Sequence, residues 1–127
     1  MTTTHFTGLH TVAVPVDDQD AALAFYRDVL GFEVRMDGDL QEGFRWIEVA
    51  PPGAAVSVAL VAAGPDQPAG VDTGIRLATS DAAADHATLG AHGVRVEELL
   101  RWDGVPPMFS MRDLDGNVLY VTEISVG

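Results

Sequence analysis

Neither cysteine nor lysine occurs among the 127 residues. Without cysteine there is no disulfide, no thiolate metal site and no cysteine nucleophile, so histidine, aspartate and glutamate are the strong metal ligands left. Without lysine, seven arginines face nineteen Asp and Glu, a formal charge of -12. Phosphate backbones and anionic membrane surfaces are on balance repelled by such a chain, so neither nucleic acid nor membrane is expected as a partner. No run of about eighteen apolar residues is present. The first eight residues have neither the basic start nor the apolar run of a signal peptide, and the expectation is a soluble cytoplasmic protein. A glycine-rich phosphate loop and a nucleophile elbow are also missing.

What is present is a globular composition, 47% hydrophobic and 20% charged, at the length of one domain with one core. Residues 9–16, Leu-His-Thr-Val-Ala-Val-Pro-Val, are rich in β-branched types and read as a strand, with Pro15 near its end. Asp17 or Asp18 can cap a following helix over about residues 19–30, whose apolar rows Ala22-Phe25-Val29 and Leu23-Tyr26-Leu30 end at Gly31. Strands are expected over 32–36, 44–49 and 56–61, with turns at Asp37-Gly38-Asp39 and Pro51-Pro52-Gly53.

The same order then repeats. After a linker over 64–70, the signals predict a strand over 73–78, a helix over 81–92 and strands over 94–100, 107–112 and 117–124. Asp17 matches Asp81 at a shift of 64, and Gly31-Phe32-Glu33-Val34 matches Gly93-Val94-Arg95-Val96 at a shift of 62. Two copies at so long a period indicate an internally duplicated domain and not a solenoid. The fold class expected is α+β, with module one over about 9–63 and module two over about 71–125.

Leu9-His10-Thr11-Val12-Ala13-Val14 leading into Asp17, the run Phe25-Tyr26-Arg27-Asp28-Val29-Leu30-Gly31-Phe32, and the closing Asp113-Leu114-Asp115-Gly116-Asn117 carry a resemblance to the vicinal oxygen chelate superfamily of glyoxalases, bleomycin-resistance proteins and extradiol dioxygenases. That resemblance implies two βαβββ modules, each a curved sheet with a helix on its outer face, pairing to enclose a cup. It also implies a divalent metal (nickel, zinc, manganese or iron) acting as a Lewis acid on substrate oxygens. The ligand positions of metal-binding members fall here on His10, Glu48, Gly74 and Tyr120. Only the first two can serve, so metal binding is expected to be weak or absent; His10 and Glu48 as a hydrogen-bonded pair without an ion is the alternative.

Strand alternation puts His10 with Val12 and Val14, Glu48 with Phe44 and Trp46, Tyr120 with Val118 and Thr122, and Gly74 with Arg76. Phe44, Trp46, Arg76 and Tyr120 are the candidate ligand-binding residues, Glu48 the candidate catalytic one. Arg76 is expected to pair with Glu48 or to await an anionic ligand. Two functions follow from the resemblance: a glyoxalase-type metal-assisted lyase or dioxygenase, or a drug- or metabolite-sequestering protein without catalysis. A homodimer with a small-molecule ligand is expected in either case. Other signals are dull: Asp115-Gly116 reads as a hairpin turn and not a calcium loop, Glu123 lies opposite Tyr120, His92 ends the second helix and His86 faces solvent.

Overall fold

The computed structural model describes residues 3–124. Strand β1 (Thr11–Val16) leads to helix α1 (Gln19–Ala24), which Asp18 caps by accepting from the Ala21 amide at 3.0 Å. The helix widens into a π-helical turn, Phe25–Val29, where the Leu30 amide donates to the Phe25 carbonyl. Gly31, at φ +77°, then turns the chain back. Strands β2 (Glu33–Gln41), β3 (Phe44–Ala50) and β4 (Ser57–Ala62) complete a sheet ordered β1-β4-β3-β2, with β1 parallel to β4 and the other pairs antiparallel. The second half repeats this plan with β5 (Asp72–Thr79), α2 (Ala82–Ala91), β6 (Arg95–Val96), β7 (Met108–Arg112) and β8 (Val118–Glu123), ordered β5-β8-β7-β6. Both sheets are open, so the expected βαβββ pair is the fold observed.

Each sheet has a core face and a front face, because alternate residues point to opposite sides. Val14, Ile47, Val49 and Leu60 in the first sheet, and Phe109, Met111, Leu119 and Val121 in the second, join one buried cluster with Tyr26 and Phe32. Among the described residues no helix is long and apolar enough to cross a membrane.

Three local expectations are corrected. Asp37-Gly38-Asp39 is not a turn but lies inside β2, an edge strand where acidic residues are tolerated, and the Asp37 carboxylate accepts from Arg45 Nε and Nη2 of β3 at 2.9 Å each. The turn comes at Glu42-Gly43, with Gly43 at φ +78°. The strand expected over 94–100 shrinks to Arg95–Val96, after which only the Glu97 amide, on Ser110 O, and Leu100, bridging to Met108, hold the segment against β7. His86 is half-buried rather than solvent-facing alone: its Nε2 lies 2.8 Å from Glu97 O and its ring meets Phe109 edge-on at 5.1 Å.

The Asp113–Asn117 hairpin clamps the halves together. The Tyr26 hydroxyl donates to Asp113 Oδ2 at 2.7 Å, and Asn117, fully buried, donates to Pro15 O and accepts from the Gly70 and Val71 amides. Burial, then the neighbouring Asp113 carboxylate, pushes the Tyr26 phenol well above its ordinary pKa, so it remains a donor. Glu123 faces the core side, where its carboxylate accepts from the Ala82 amide at the start of α2.

Candidate functional site

Glu48 sits in the middle of β3 on the front face of the first sheet, 8% exposed. Trp46, two residues earlier on the same face, donates its indole N–H to Glu48 Oε2 at 2.7 Å, and the Ser57 hydroxyl of β4 donates to Oε1 at 2.8 Å. These bonds, the Trp46 one foremost, hold the carboxyl below the usual glutamate pKa against the opposing effect of burial. Glu48 is therefore an ionised acceptor at neutral pH. His10 Nε2 lies 3.7 Å from Glu48 Oε2, too far for a hydrogen bond, and its side chain is 82% exposed. Phe44 stacks on Trp46 with ring centroids 6.3 Å apart, so an aromatic ledge adjoins the carboxylate. A cleft of about 480 Å³ runs along this ledge past Ala13 and Val61.

Alternation from His10 fails. The strand begins only at Thr11, and Val14 pairs with Leu60 on the core face, fully buried. It is Ala13, paired with Ala59, that shares the front with Glu48.

In the second sheet the register jumps from Asp72↔Val118 to Arg76↔Tyr120, four residues of β5 spanning two of β8. Gly74 occupies this bulge at φ +70°, a conformation that favours glycine. The position matching a metal-ligating histidine is thus a looped-out backbone, tied by the Gly74 amide to Asp72 Oδ1 at 3.1 Å. Beyond it Arg76 lies over the Tyr120 ring, 4.4 Å from the centroid, and donates to Gly74 O at 2.9 Å. The Tyr120 hydroxyl donates to Asp72 Oδ2 at 2.7 Å. That bond raises the phenol's pKa and, as the largest cause, lowers that of the Asp72 carboxyl.

Trp46, Phe44 and Glu48 are thus neighbours, as are Arg76 and Tyr120, but Arg76 makes no ion pair with Glu48 within the chain, where the Glu48 contact is His10. Ser57 and Asp72 escaped sequence reasoning. Ser57 had no local signal, since its role comes from sheet register, whereas Asp72 lay two residues before Gly74, where an Asp-x-Gly sequence invites a local turn.

These donors do not fit a divalent metal. The four positions hold one exposed imidazole, one carboxylate, a backbone bulge and a phenol that is itself bonded to Asp72, against a need for four to six ligands. Among the described residues no three His, Asp or Glu side chains converge.

The chain is similar to several known proteins. TnmS3, an antibiotic binding protein from Streptomyces sp. CB03234, superposes with a TM-score of 0.86 at 33% identity, covering 97% of this chain and 100% of that one. A glyoxalase/bleomycin resistance protein/dioxygenase superfamily member from Sphaerobacter thermophilus DSM 20745 superposes at 0.87 with 33% identity, over 94% and 98% of the two chains. The uncharacterized protein YetH of Bacillus subtilis (strain 168) is 43% identical over 44 residues, 35% of this chain, and the match spans only 37% of that protein's length. With residues 8–121 matching the family as a whole, the chain belongs to the glyoxalase/bleomycin resistance protein/dioxygenase superfamily.

Proposed function

We propose that the chain is a cytoplasmic, homodimeric binding protein that sequesters a small aromatic molecule, of the kind antibiotics supply, in a cup that works without a tightly held metal. The observation carrying this reading is the double engagement of Glu48, whose two oxygens accept from Trp46 and Ser57. A carboxylate fixed in this way keeps a lone pair on each oxygen and serves as an acceptor for a ligand N–H or O–H beside the Phe44–Trp46 ledge, while among the described residues no group of three His, Asp or Glu stands there to hold an ion. The likeness to an antibiotic binding protein over nearly the full chain supports the same class of ligand. A dimer is supported by apolar side chains left open on one chain, Leu40 at 56% and Trp102 at 60% exposure, which a second copy would cover.

The test is titration with a planar polycyclic aromatic antibiotic in EDTA, read by tryptophan fluorescence, with elemental analysis of the same protein. Binding is expected to survive EDTA and to weaken about tenfold in Glu48→Gln, the scale of one charge-assisted hydrogen bond. Stoichiometric nickel, zinc, manganese or iron that survives dialysis and disappears in His10→Ala overturns the reading and revives the metal-assisted lyase or dioxygenase.

A further inference from the structure

The front of the second sheet holds a cleft of about 330 Å³ whose polar walls carry opposite charges. On one side is Arg76, fixed by the Tyr120 ring beneath it and by the carbonyl of Gly74. Among the described residues, four of its five N–H groups have no protein acceptor. On the other side are Glu97 and Glu98, on the segment held along β7 by the Glu97 amide on Ser110 O at 2.9 Å and by Leu100 N on Met108 O at 2.8 Å. No carboxylate lies within ion-pair distance of Arg76 among the described residues, although these two line the same cleft. Met108 of β7 and Leu100, bridged to it, add apolar surface to the lining.

Opposite charges that share a cleft without meeting are normally bridged by solvent, but here one partner is immobilised. A planar guanidinium held on an aromatic face loses little further freedom when a carboxylate forks onto it. A simple anion would gain that fork but would face two carboxylates, and a simple cation would gain the carboxylates but face the guanidinium. Only a molecule carrying both charges satisfies both walls. We propose that this cleft is a subsite for the amphoteric part of a ligand, an acid group on Arg76 and a protonated amine on Glu97 or Glu98, joined by an apolar body over Leu100 and Met108. The proposal deepens the binding-protein reading and rests on it, since it names the ligand class for the second-sheet half of the cup.

Three probes with one skeleton test it: 6-aminohexanoate, whose acid and amine are joined by an apolar chain, hexanoate, which lacks the amine, and pentylamine, which lacks the acid. Dissociation constants are measured by NMR titration of the full chain in EDTA. The 6-aminohexanoate is expected to bind at least fivefold tighter than either single-charge probe. Arg76→Met should abolish the advantage over the amine, and the double variant Glu97→Gln, Glu98→Gln should abolish the advantage over the acid. Equal affinity for the three probes, tighter binding of a single-charge probe, no binding of any of them, or indifference of the preference to both variants overturns the proposal. The outcomes separate from the parent reading. If the polycyclic antibiotic binds in EDTA and responds to Glu48→Gln while the probes show no preference, the amphoteric subsite fails alone; if the antibiotic does not bind, the cup reading fails as well.

Discussion

The two modules share a plan and differ along one row of their front faces. In the first sheet the row runs Ala13–Ala59–Glu48–Met36 across four strands; in the second it runs Arg76–Tyr120–Ser110, with the Glu97 amide bonded to Ser110 O beyond. Glu48 and Ser110 stand at the shift of 62 that relates Gly31 to Gly93. Module one thus places its charge in the middle of the sheet, with alanines on one side of a fixed acceptor and Met36 on the other. Module two replaces that acid with a hydroxyl and moves charge outward to Arg76 on β5 and the glutamates beyond β7. Two similar scaffolds thus carry their charged groups at different places on the front face.

A second asymmetry concerns stability, and breaking it gives the largest expected effect. Only module two lends a hairpin to its neighbour: Asn117 reaches Pro15 O of module one while holding the Gly70 and Val71 amides of the inter-module segment. Asn117→Ala leaves one buried carbonyl and two amides without partners. A loss of about 3–5 kcal/mol is expected, on the usual scale for several unsatisfied buried groups. Urea unfolding checks this. A loss under about 1 kcal/mol would mean that the modules are not clamped there.

Legibility followed the same division. Strand and helix order could be read because hydrophobic periodicity and the glycine punctuation at Gly31, Gly93 and Gly116 are local signals, and the Asp115-Gly116 turn, with Gly116 at φ +83°, came from turn chemistry alone. The extent of β6 and the true turn at Glu42-Gly43 were not legible, because pairing partners decide them. Site residues on unbroken strands, Phe44, Trp46 and Glu48 or Val118, Tyr120 and Thr122, fell on common faces by simple alternation. Alternation misled at His10, which precedes its strand, and could not describe Gly74, where a bulge inserts extra residues. Hydrogen bonds between elements far apart in the chain or on different strands, such as Tyr26 to Asp113 and Ser57 to Glu48, leave no mark on sequence spacing.

The bulge offers an intermediate test, restoring by mutation the residue that metal-binding relatives have. Gly74→His meets no atom within 4 Å of an added Cβ, so space is available, but φ is +70° and the left-handed conformation costs a residue with a side chain about 1–2 kcal/mol. We expect that destabilisation in thermal or urea unfolding and no gain of stoichiometric nickel or zinc by elemental analysis, because the bulge turns this backbone away from strand geometry. Tight metal in the variant would show that the bulge does not keep this position from serving as a ligand.

The smallest effect separates the two aromatic donors. Trp46 to Glu48 and Tyr120 to Asp72 are both 2.7 Å bonds from an aromatic X–H to a carboxylate, one in each module. In both cases this bond is the first cause of a lowered carboxyl pKa, yet Glu48 is buried and Asp72 is exposed. Each group, depressed in the folded state, contributes stability that is present above its unfolded pKa and is lost as pH falls through the folded value. Removing the donor raises the folded pKa and shrinks that window from its acid side. In Tyr120→Phe, Asp72 keeps the Gly74 amide and solvent, so its pKa should rise only part of the way back towards an ordinary aspartate. In Trp46→Phe, Glu48 keeps Ser57 but also keeps its burial, which now meets less opposition, so the rise should be larger and should pass the upward shift at Asp72. Side-chain carboxyl carbon NMR followed from pH 2 to 7 reads both. A larger shift at Asp72 than at Glu48 would mean that burial is not what distinguishes the two carboxylates, and the contrast between a fixed interior acceptor in module one and a solvated one in module two would have to be given up.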